Sequence, residues 1–244
     1  SLSFYLLFIF LYNSSMKILV TSGGTSEAID RVRSITNHST GRLGKVITET
    51  LLKSGHQVCL ITTQQELKPE LHPNLTMIEI QNTSDLLQEM KRIVPDYQVL
   101  IHSMAVSDYS PVYMTGLDQV QASQDLNEFL HKKNMETKIS SKDEVQVLFL
   151  KKNPKIISLV KEWNPSIYLI GFKLLVDVTK EHLIQIARES LVKNQADLIV
   201  ANDLTQINAD QHLAYLVEEK DYQIASHKQE IADLLVERIQ GFDH

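Results

Sequence analysis

The sequence predicts an α/β protein of the Rossmann-like three-layer class, with a mainly parallel central sheet and a C-terminal hairpin. Short apolar runs of strand length alternate with amphipathic helical segments along most of the chain, as expected for a sheet covered by helices on both faces. The first apolar run is followed by a loop rich in Gly, Ser and Thr and then by a helix, which favours anion binding at the helix N-terminus. Near the C-terminus, a short polar turn separates two apolar runs, which indicates a hairpin.

The remaining elements are predicted from apolar spacing and from the residues that begin and end each segment. Strands are expected at residues 18–20, 56–62, 76–79, 97–102, 168–172, 198–203, 213–218 and 222–226. Helices are expected at residues 45–53, 84–94, 180–193 and 228–239. Residues 111–133 are polar and weakly patterned, so an irregular excursion is expected there.

Composition limits the classes of protein to which the chain can belong. With 244 residues, of which 43% are hydrophobic and 22% charged, it is long enough for one large globular domain. A net charge of -6 argues against a nucleic-acid-binding surface as the main function. The one cysteine, Cys59, lies in an apolar run, so a disulfide framework and a cysteine-based zinc site are excluded, and a buried thiol in a reducing cytoplasm is expected.

The N-terminal segment differs from the rest of the chain. Residues 1–15 are strongly apolar, and Met16 immediately precedes the first predicted strand. The segment is shorter than the roughly 20 residues that a membrane-spanning helix needs, and it lacks the basic start of a signal peptide. We therefore expect an extension outside the fold, with a membrane anchor as the less favoured interpretation, followed by a single α/β domain at residues 16–244.

Two glycine sites flank the predicted anion loop. Gly23 and Gly24 follow the first strand directly, and Gly41 and Gly44 lie at the start of the first helix. The absence of a Cβ lets the backbone approach a ligand closely. A plain turn would also explain such a glycine pair, because the G-x-G-x-x-G motif is absent. The expected helix N-caps are Ser39 or Thr40, Ser84 and Asn153.

The ends of later strands supply candidate binding groups. Asp108 follows the strand at residues 97–102, where ligands of open α/β sheets bind, although an Asx-turn or a helix cap would also explain it. From local pattern alone, Lys138 is a surface charge and Phe172 a core aromatic. No G-x-S-x-G, H-E-x-x-H or Walker A motif is present, and the histidines lack metal-ligand spacing. The residues therefore favour a reaction that depends on positioning and charge neutralisation, without a protein metal site.

One segment is more informative about the protein family than its glycines alone. Residues 21–44, TSGGTSEAIDRVRSITNHSTGRLG, closely resemble the nucleotide-site loop of the phosphopantothenate-cysteine ligases of coenzyme A biosynthesis. The segments AVSDY, KISS, KKNPKII and YLIGF extend the resemblance from about Met16 to the C-terminus. The resemblance implies that CTP activates 4'-phosphopantothenate as an acyl-cytidylate, with Mg²⁺ on the triphosphate, and that cysteine then forms the amide.

The resemblance also assigns roles to residues at matching positions. It implies catalytic roles for Asn37 and Lys138, the lysine in the second half-reaction, and substrate contacts for Asn37 and Arg42. The implied nucleotide-binding residues are Gly23, Gly24, Ser39, Gly41, Ala105, Asp108, Lys138, Asn153, Lys155, Ile156, Phe172 and Lys193. Glu189 departs from the family pattern, since relatives can carry a basic residue there, and the neighbouring Arg188 is a candidate replacement.

Two other functions fit parts of the sequence. A nicotinamide-dependent reductase is favoured only by the α/β layout, because residues 62–65, TTQQ, offer no acidic residue for a ribose. A non-catalytic protein that binds a phosphorylated ligand would use the same loops. The family resemblance implies a cytoplasmic homodimer without membrane or nucleic-acid partners. Because only residues 1–15 precede the matching region, a stand-alone bacterial ligase without FMN is expected.

Overall fold

The computed structural model describes residues 15–64 and 66–242, so the predicted extension lies, apart from Ser15, outside the described residues. The strands are β1 (Lys17–Thr21), β2 (Ser26–Ala28), β3 (Ser34–Thr36), β4 (Gln57–Thr63), β5 (Leu75–Ile80), β6 (Val99–His102), β7 (Tyr109–Gly116), β8 (Gln146–Lys152), β9 (Tyr168–Leu175), β10 (Leu198–Ile207), β11 (His212–Val217) and β12 (Tyr222–Ala225). The helices are α1 (Arg42–Lys53), α2 (Thr83–Ile93), α3 (Leu117–Ala122), α4 (Val160–Trp163), α5 (Lys180–Lys193) and α6 (Lys228–Gln240). None of the helices in this part of the chain is long and apolar enough to cross a membrane.

Eight strands form one sheet in the order β12-β11-β10-β9-β6-β1-β4-β5. All neighbours from β10 to β5 pair in parallel, whereas β11 and β12 form the predicted antiparallel hairpin. Strands covered on both faces need apolar side chains on both faces, and β1 and β4 are buried along almost their whole length. The predicted fold class is confirmed.

Helices cover both faces of the sheet and produce the three layers. α1 and α6 pack on one face, where Ile47, Leu51 and Leu235 are buried. α2 and α5 pack on the other face through buried side chains such as Leu86 and Leu183. Each buried side chain of this size stabilises the fold by about 1.5–3 kcal/mol, so these two apolar interfaces hold the helices on the sheet.

The order of the parallel strands decides where a ligand can bind. The chain builds β4 and β5 on one side of β1 and then crosses to β6 on the other side. A crevice forms at such a switch point, outside the carboxyl ends of the two central strands. The loops that follow β1 and β6 are joined there, because the N–H of Ala105 donates to the carbonyl of Gly23 at 2.8 Å and the N–H of Thr25 donates to the carbonyl of Ala105 at 3.1 Å.

The expectation of an irregular excursion at residues 111–133 is wrong. β7 and β8 pair antiparallel outside the main sheet, with α3 and a 3-10 turn between them. The pairing shifts register next to Pro111, which accommodates a proline within a strand. Phe129 of the turn is buried and stacks on Phe149 at a ring distance of 4.9 Å. β7 is only partly buried, so its apolar pattern is weak in the sequence.

The loop between β1 and α1 also contains regular structure that the sequence reasoning did not predict. β2 and β3 form a short antiparallel pair within it. At the turn of this pair, the Arg33 guanidinium beside Asp30 holds the pKa of that carboxyl well below its usual range. The Asp30 carboxylate also accepts a hydrogen bond from the N–H of Ile139 at 3.0 Å. This turn therefore anchors the chain segment that carries Lys138.

The predicted cap of α1 is wrong. Gly41, with a φ of 71°, is the N-cap, and no side chain caps the helix. The Ser39 hydroxyl accepts a hydrogen bond from the N–H of Gly41, and the Thr40 hydroxyl from the N–H of Arg42. Each hydroxyl thus accepts from the backbone N–H two residues later, as in the turns that Ser and Thr side chains form in loops. The later N–H groups of the first helical turn therefore have no side-chain cap.

Two further predicted caps are wrong as well. Asn82, and not Ser84, caps α2, because its side chain reaches the N–H of Asp85 and forms a capping box with that residue. Asn153 does not cap the turn that follows it, since Lys155 is the residue that precedes that 3-10 turn. The Asn153 side chain instead donates a hydrogen bond to the carbonyl of Ser107, in the loop after β6.

Replacement of Gly44 by Ala should destabilise the protein although alanine is the better helix former. An ideal Cβ at Gly44 would lie 2.0 Å from Ser22 Oγ and 2.3 Å from Ser22 Cβ. We expect the overpacking to outweigh the gain in helix propensity and to lower the free energy of unfolding by about 2 kcal/mol in urea denaturation. Gly241→Ala is the matched control, because a Cβ there would meet no atom closer than 3.7 Å. Equal stability of the two variants would contradict the contact between Gly44 and Ser22.

Candidate functional site

Two adjoining cavities open at the carboxyl ends of β1, β6, β9 and β10. One, with a volume of about 560 Å³, is named the Arg42 cavity after the residue at the start of α1 that lines it. The other, of about 330 Å³, is named the Asp108 cavity after the acid that follows β6. Met104, Phe172 and Leu174 line both cavities, so they form one continuous crevice at the switch point of the sheet.

The Arg42 cavity brings together six of the residues predicted from the sequence. It is lined by Gly23, Ser39, Gly41, Arg42, Ala105 and Phe172. The first turn of α1 forms part of its wall, so free backbone N–H groups and the helix dipole favour a negative charge there. Among the described residues, no carboxylate lines this cavity. The arrangement suits an anion.

The Asp108 cavity brings together another part of the predicted set. Asn37, Asp108, Lys155, Ile156 and Phe172 line it. Lys155 Nζ and Asp108 Oδ1 form an exposed ion pair at 3.4 Å. Because an exposed pair of this kind contributes about 0–1 kcal/mol, a polar ligand can replace either partner at little cost.

Asn37 lies where the two cavities meet. Its side-chain Nδ2 donates to the carbonyl of Ala105 at 3.2 Å. Asn37 lines the Asp108 cavity, whereas Ala105 lines the Arg42 cavity. An ideal Cβ at Gly24 would lie 2.3 Å from the Asn37 carbonyl oxygen, so only glycine permits this approach. Gly24 itself lines a separate cavity beside β2 and β3.

Asn153 supports the crevice without lining either cavity. Its side-chain Nδ2 donates to the carbonyl of Ser107 at 2.9 Å, and its Oδ1 accepts from the Ser110 hydroxyl at 2.8 Å. Its backbone N–H donates to the carbonyl of Asp108 at 2.8 Å. The residue therefore fixes the loop that positions Asp108.

His102, at the end of β6, contributes a buried ring to the Asp108 cavity. Its Nδ1 lies 2.7 Å from the Thr21 hydroxyl of β1. Burial lowers the pKa of His102 to about 4, and the charge of Lys155 adds to this effect. The ring is therefore neutral at pH 7 and links the two central strands.

Lys138 and Lys193 lie outside the crevice of their own chain. Lys138 is exposed and lines neither cavity, and its segment is joined to the turn between β2 and β3 by a hydrogen bond from the N–H of Arg31 to the carbonyl of Thr137. Lys193, at the end of α5, lines a surface groove together with Arg188. The roles assigned to these residues by resemblance stay predictions.

Sequence reasoning missed several polar residues of the Arg42 cavity, among them Asn202, His212 and Lys228. They come from β10, β11 and the start of α6, far along the chain from Arg42. One signal could have identified Lys228: it is the first residue of a helix, where the helix dipole disfavours a cation.

Glu66 places a carboxylate of the chain itself beside the glycine loop. The N–H of Gly24 donates to Glu66 Oε1 at 3.2 Å. Burial raises the pKa of Glu66, and hydrogen bonds from the Gly24 amide and the Thr63 side chain oppose that shift. A Cβ at Gly23 would lie 2.5 Å from Glu66 Cγ, so the loop accommodates Glu66 because it carries no side chain there.

Comparison with known proteins gives a consistent result. The family model described as the DNA/pantothenate metabolism flavoprotein C-terminal domain matches residues 14–242. The coenzyme A biosynthesis bifunctional protein CoaBC of Thermococcus kodakarensis is 32% identical over 203 residues, which are 82% of this chain and 44% of that protein. Its counterpart from Methanocaldococcus jannaschii is 28% identical over 227 residues, 92% of this chain and 50% of that protein. The chain thus spans about half the length of these curated relatives.

Solved structures agree with this result. A crystal structure of the DNA/pantothenate metabolism flavoprotein from Streptococcus pneumoniae has 72% identity and a TM-score of 0.91, and the match covers 94% of this chain and 100% of that chain. The C-terminal domain of a CoaBC protein has 25% identity and a TM-score of 0.67, and the match covers 93% of this chain and 94% of that chain. A Cab2 variant in complex with phosphopantothenate-cysteine shares the fold, with 17% identity and a TM-score of 0.71. That match covers 96% of this chain and 91% of that chain.

Stability should fall as the pH is lowered from about 6.5 to about 4. The folded state keeps His102 neutral down to a pKa of about 4, whereas the unfolded state binds a proton below about 6.5, so unfolding takes up a proton in this window. The contribution of His102 is about 3 kcal/mol over the whole window. His102→Gln should reduce the pH dependence of urea denaturation, and His131→Gln, an exposed control, should not. The same slope in all three proteins would contradict a buried neutral His102.

Proposed function

The chain belongs to the family of the DNA/pantothenate metabolism flavoprotein C-terminal domain, and on that premise we propose that it is a phosphopantothenate-cysteine ligase. The family named from the sequence is thereby confirmed, whereas the reaction is our proposal. One observation carries it: Asn37, the residue expected to contact the reaction intermediate, lies between a cavity that suits an anion and a cavity with an acid, a lysine and an aromatic side chain.

Relatives support the substrates. The curated proteins named above are coenzyme A biosynthesis proteins, and a structural neighbour was solved with phosphopantothenate-cysteine. We infer that 4'-phosphopantothenate and cysteine are joined by an amide bond, with CTP as the activating nucleotide. A cytoplasmic location is part of this proposal and is supported by the single buried thiol, Cys59.

The first half-reaction activates a carboxylate. A carboxylate oxygen of 4'-phosphopantothenate attacks the α-phosphorus of CTP, the bond to the β-phosphate oxygen breaks, and pyrophosphate leaves with the electron pair. Arg42 and the amides of the first turn of α1 would neutralise phosphate charge. Asp108, Lys155 and Phe172 would hold the nucleotide, with the ring available for stacking.

The second half-reaction forms the amide. The amine of cysteine attacks the acyl carbon, the bond to the phosphate oxygen breaks, CMP leaves, and the nitrogen loses a proton to solvent. The Asn37 amide would donate to the acyl-phosphate oxygens in place of the Ala105 carbonyl. Catalysis would then depend on positioning and on charge, without a covalent enzyme intermediate.

Magnesium is proposed as a companion of the triphosphate. Among residues 15–64 and 66–242, no group of three or more His, Cys, Asp or Glu side chains could hold a metal ion. The donors at the crevice therefore fit an ion held mainly by phosphate oxygens and water, as Mg²⁺ often is in nucleotide sites, with Asp108 as a carboxylate that lines the crevice. When bound, the ion would shield phosphate charge during the first half-reaction.

We propose that Lys138 acts in the second half-reaction at the site of a second copy of the chain, within a homodimer. Within one chain, Lys138 lines neither cavity. The segments around it expose large apolar side chains, among them Met135 at 89% and Val145 at 50% exposure, which a homodimer would cover. A lysine from the partner subunit would neutralise the charge that develops on the acyl phosphate.

The ligase proposal predicts pyrophosphate release that depends on CTP, 4'-phosphopantothenate and Mg²⁺, followed by a cysteine adduct detected by mass spectrometry. ATP should support less release, and a chelator should stop it. The absence of pyrophosphate release with both nucleotides, in protein shown to be folded, would contradict the ligase and favour the non-catalytic binding protein. Tight NADPH binding in a fluorescence titration would favour a reductase, for which the strand order is compatible.

Two substitutions should each block amide formation and complement each other. Asn37→Asp removes a donor and adds charge, so turnover should stop at or before the intermediate; Lys138→Gln should spare pyrophosphate release and block the reaction with cysteine. After subunit exchange, an equal mixture should recover about a quarter of wild-type activity, because half of the dimers carry one intact site. Lys142→Gln, on the same exposed segment, is the control. No recovery despite verified exchange would refute action from the partner, and equal loss of both half-reactions in Lys138→Gln would refute its assigned role.

A further inference from the structure

Two cations without carboxylate partners face the same cavity. Arg42 and Lys228 both line the Arg42 cavity, and no Asp or Glu of the described residues does. Within the described chain, neither side chain forms an ion pair or a side-chain hydrogen bond. Burial, and then the charge of Arg42, lower the pKa of Lys228, as expected for positive charges that nothing in the protein compensates.

Both cations occupy positions that helices disfavour. Arg42 is the first residue of α1, and Lys228 is the first residue of α6. A helix N-terminus carries a partial positive charge, so a cation there is unfavourable. Because α1 and α6 pack against each other, two positive helix ends and two cations converge on one space. Such a departure from local preference is expected where a residue serves function.

A buried polar pair belongs to the same wall. His212 is 7% exposed, and its Nε2 lies 2.9 Å from Asn202 Oδ1. Its other ring nitrogen, Nδ1, is buried without a hydrogen-bond partner among residues 15–64 and 66–242. Burial lowers the pKa of His212 to about 4, with Lys228 adding to the effect, so the ring is neutral at pH 7. Because Nε2 faces the acceptor Asn202 Oδ1, the neutral ring carries its proton on Nε2 and leaves Nδ1 as a buried acceptor. Beside two unpaired cations, a buried acceptor without a partner indicates a bound group that brings a hydroxyl or a water molecule.

We propose that Arg42 and Lys228 together bind one phosphate group in the Arg42 cavity, with the N-termini of α1 and α6 completing the subsite and the His212–Asn202 pair forming a polar wall beside it. Such a group gives both cations a partner and compensates both helix ends. The inference rests on the proposed function, whose substrates offer two sources of this chemistry. These are the terminal phosphates of the nucleotide and the phosphomonoester of 4'-phosphopantothenate.

Isothermal titration calorimetry with inorganic pyrophosphate and, separately, with 4'-phosphopantothenate distinguishes the two sources. Lys228→Met and Arg42→Met should each raise the dissociation constant of the same one ligand about 10- to 100-fold, which is the loss expected for a charge-assisted hydrogen bond. Lys228→Arg should retain most of the affinity. Lys45→Met is the control, because Lys45 lies one turn along α1 and pairs with Glu49 on the surface.

A measurement on the wild-type chain covers the case in which a variant fails to fold. The ligand that occupies the subsite should protect Lys228 from acetylation by acetic anhydride, whereas Lys45 should stay reactive, as read by mass spectrometry. Reaction of Lys228 at the same rate with and without saturating amounts of either ligand would overturn the subsite. So would wild-type affinity of folded Lys228→Met for both ligands.

The ligase assay on the same preparations separates this inference from the proposed function. Binding that depends on Lys228, without amide formation by the wild-type chain, would contradict the ligase and leave the phosphate subsite standing. Normal amide formation, with Michaelis constants for CTP and 4'-phosphopantothenate unchanged in Arg42→Met and Lys228→Met, would contradict the subsite and leave the ligase standing.

Discussion

The crevice depends on two places where backbone atoms come closer than a side chain would allow. At Gly44, α1 lies directly on Ser22, and at Gly24 the loop after β1 lies directly on the Asn37 carbonyl. These contacts carry the first turn of α1 and the Asn37 amide to the switch point of the sheet. The polar groups of the crevice are thus oriented by packing. Because packing holds this frame, Arg42 and Lys228 stay without ion-pair partners among the described residues and are available to a ligand.

The parts of the fold that are buried on both sides could be predicted from the sequence. α5 begins and ends at the predicted residues, Lys180 and Lys193, because its apolar face repeats with the helical period. β9 and β10 continue beyond their predicted ends to Leu175 and Ile207, where exposed side chains such as Leu174 and Leu204 show that burial no longer restricts the residue types. A strand or helix start is expected from the sequence at Val145, next to the observed start of β8 at Gln146. The strands β2, β3 and β7 escaped prediction, because a strand pair with one covered face leaves little apolar signal.

The candidate site could be predicted where it is local in sequence. Gly23 and Asp108 belong to loops that follow strands, and Gly41 lies at the start of a helix, so general rules about strand ends and helix starts locate them. Lys228 and His212 reach the Arg42 cavity only because α6 packs on α1 and because β10 and β11 form a hairpin. The spacing of these residues in the sequence does not predict that they lie close to Arg42. The family resemblance is confirmed, while the roles of individual residues stay predictions.

The hydrogen bond from the Gly24 amide to Glu66 would make the predicted binding of a ligand to that amide an exchange reaction. A phosphate that takes this amide must first release a carboxylate that belongs to the protein, so the observed affinity is the difference between two bonds to one donor. The released carboxylate gains hydration, which offsets part of the loss. An apparently weak affinity for an anion would then coexist with a strong individual contact, and the chain would hold its loop in a ligand-ready shape before any ligand arrives.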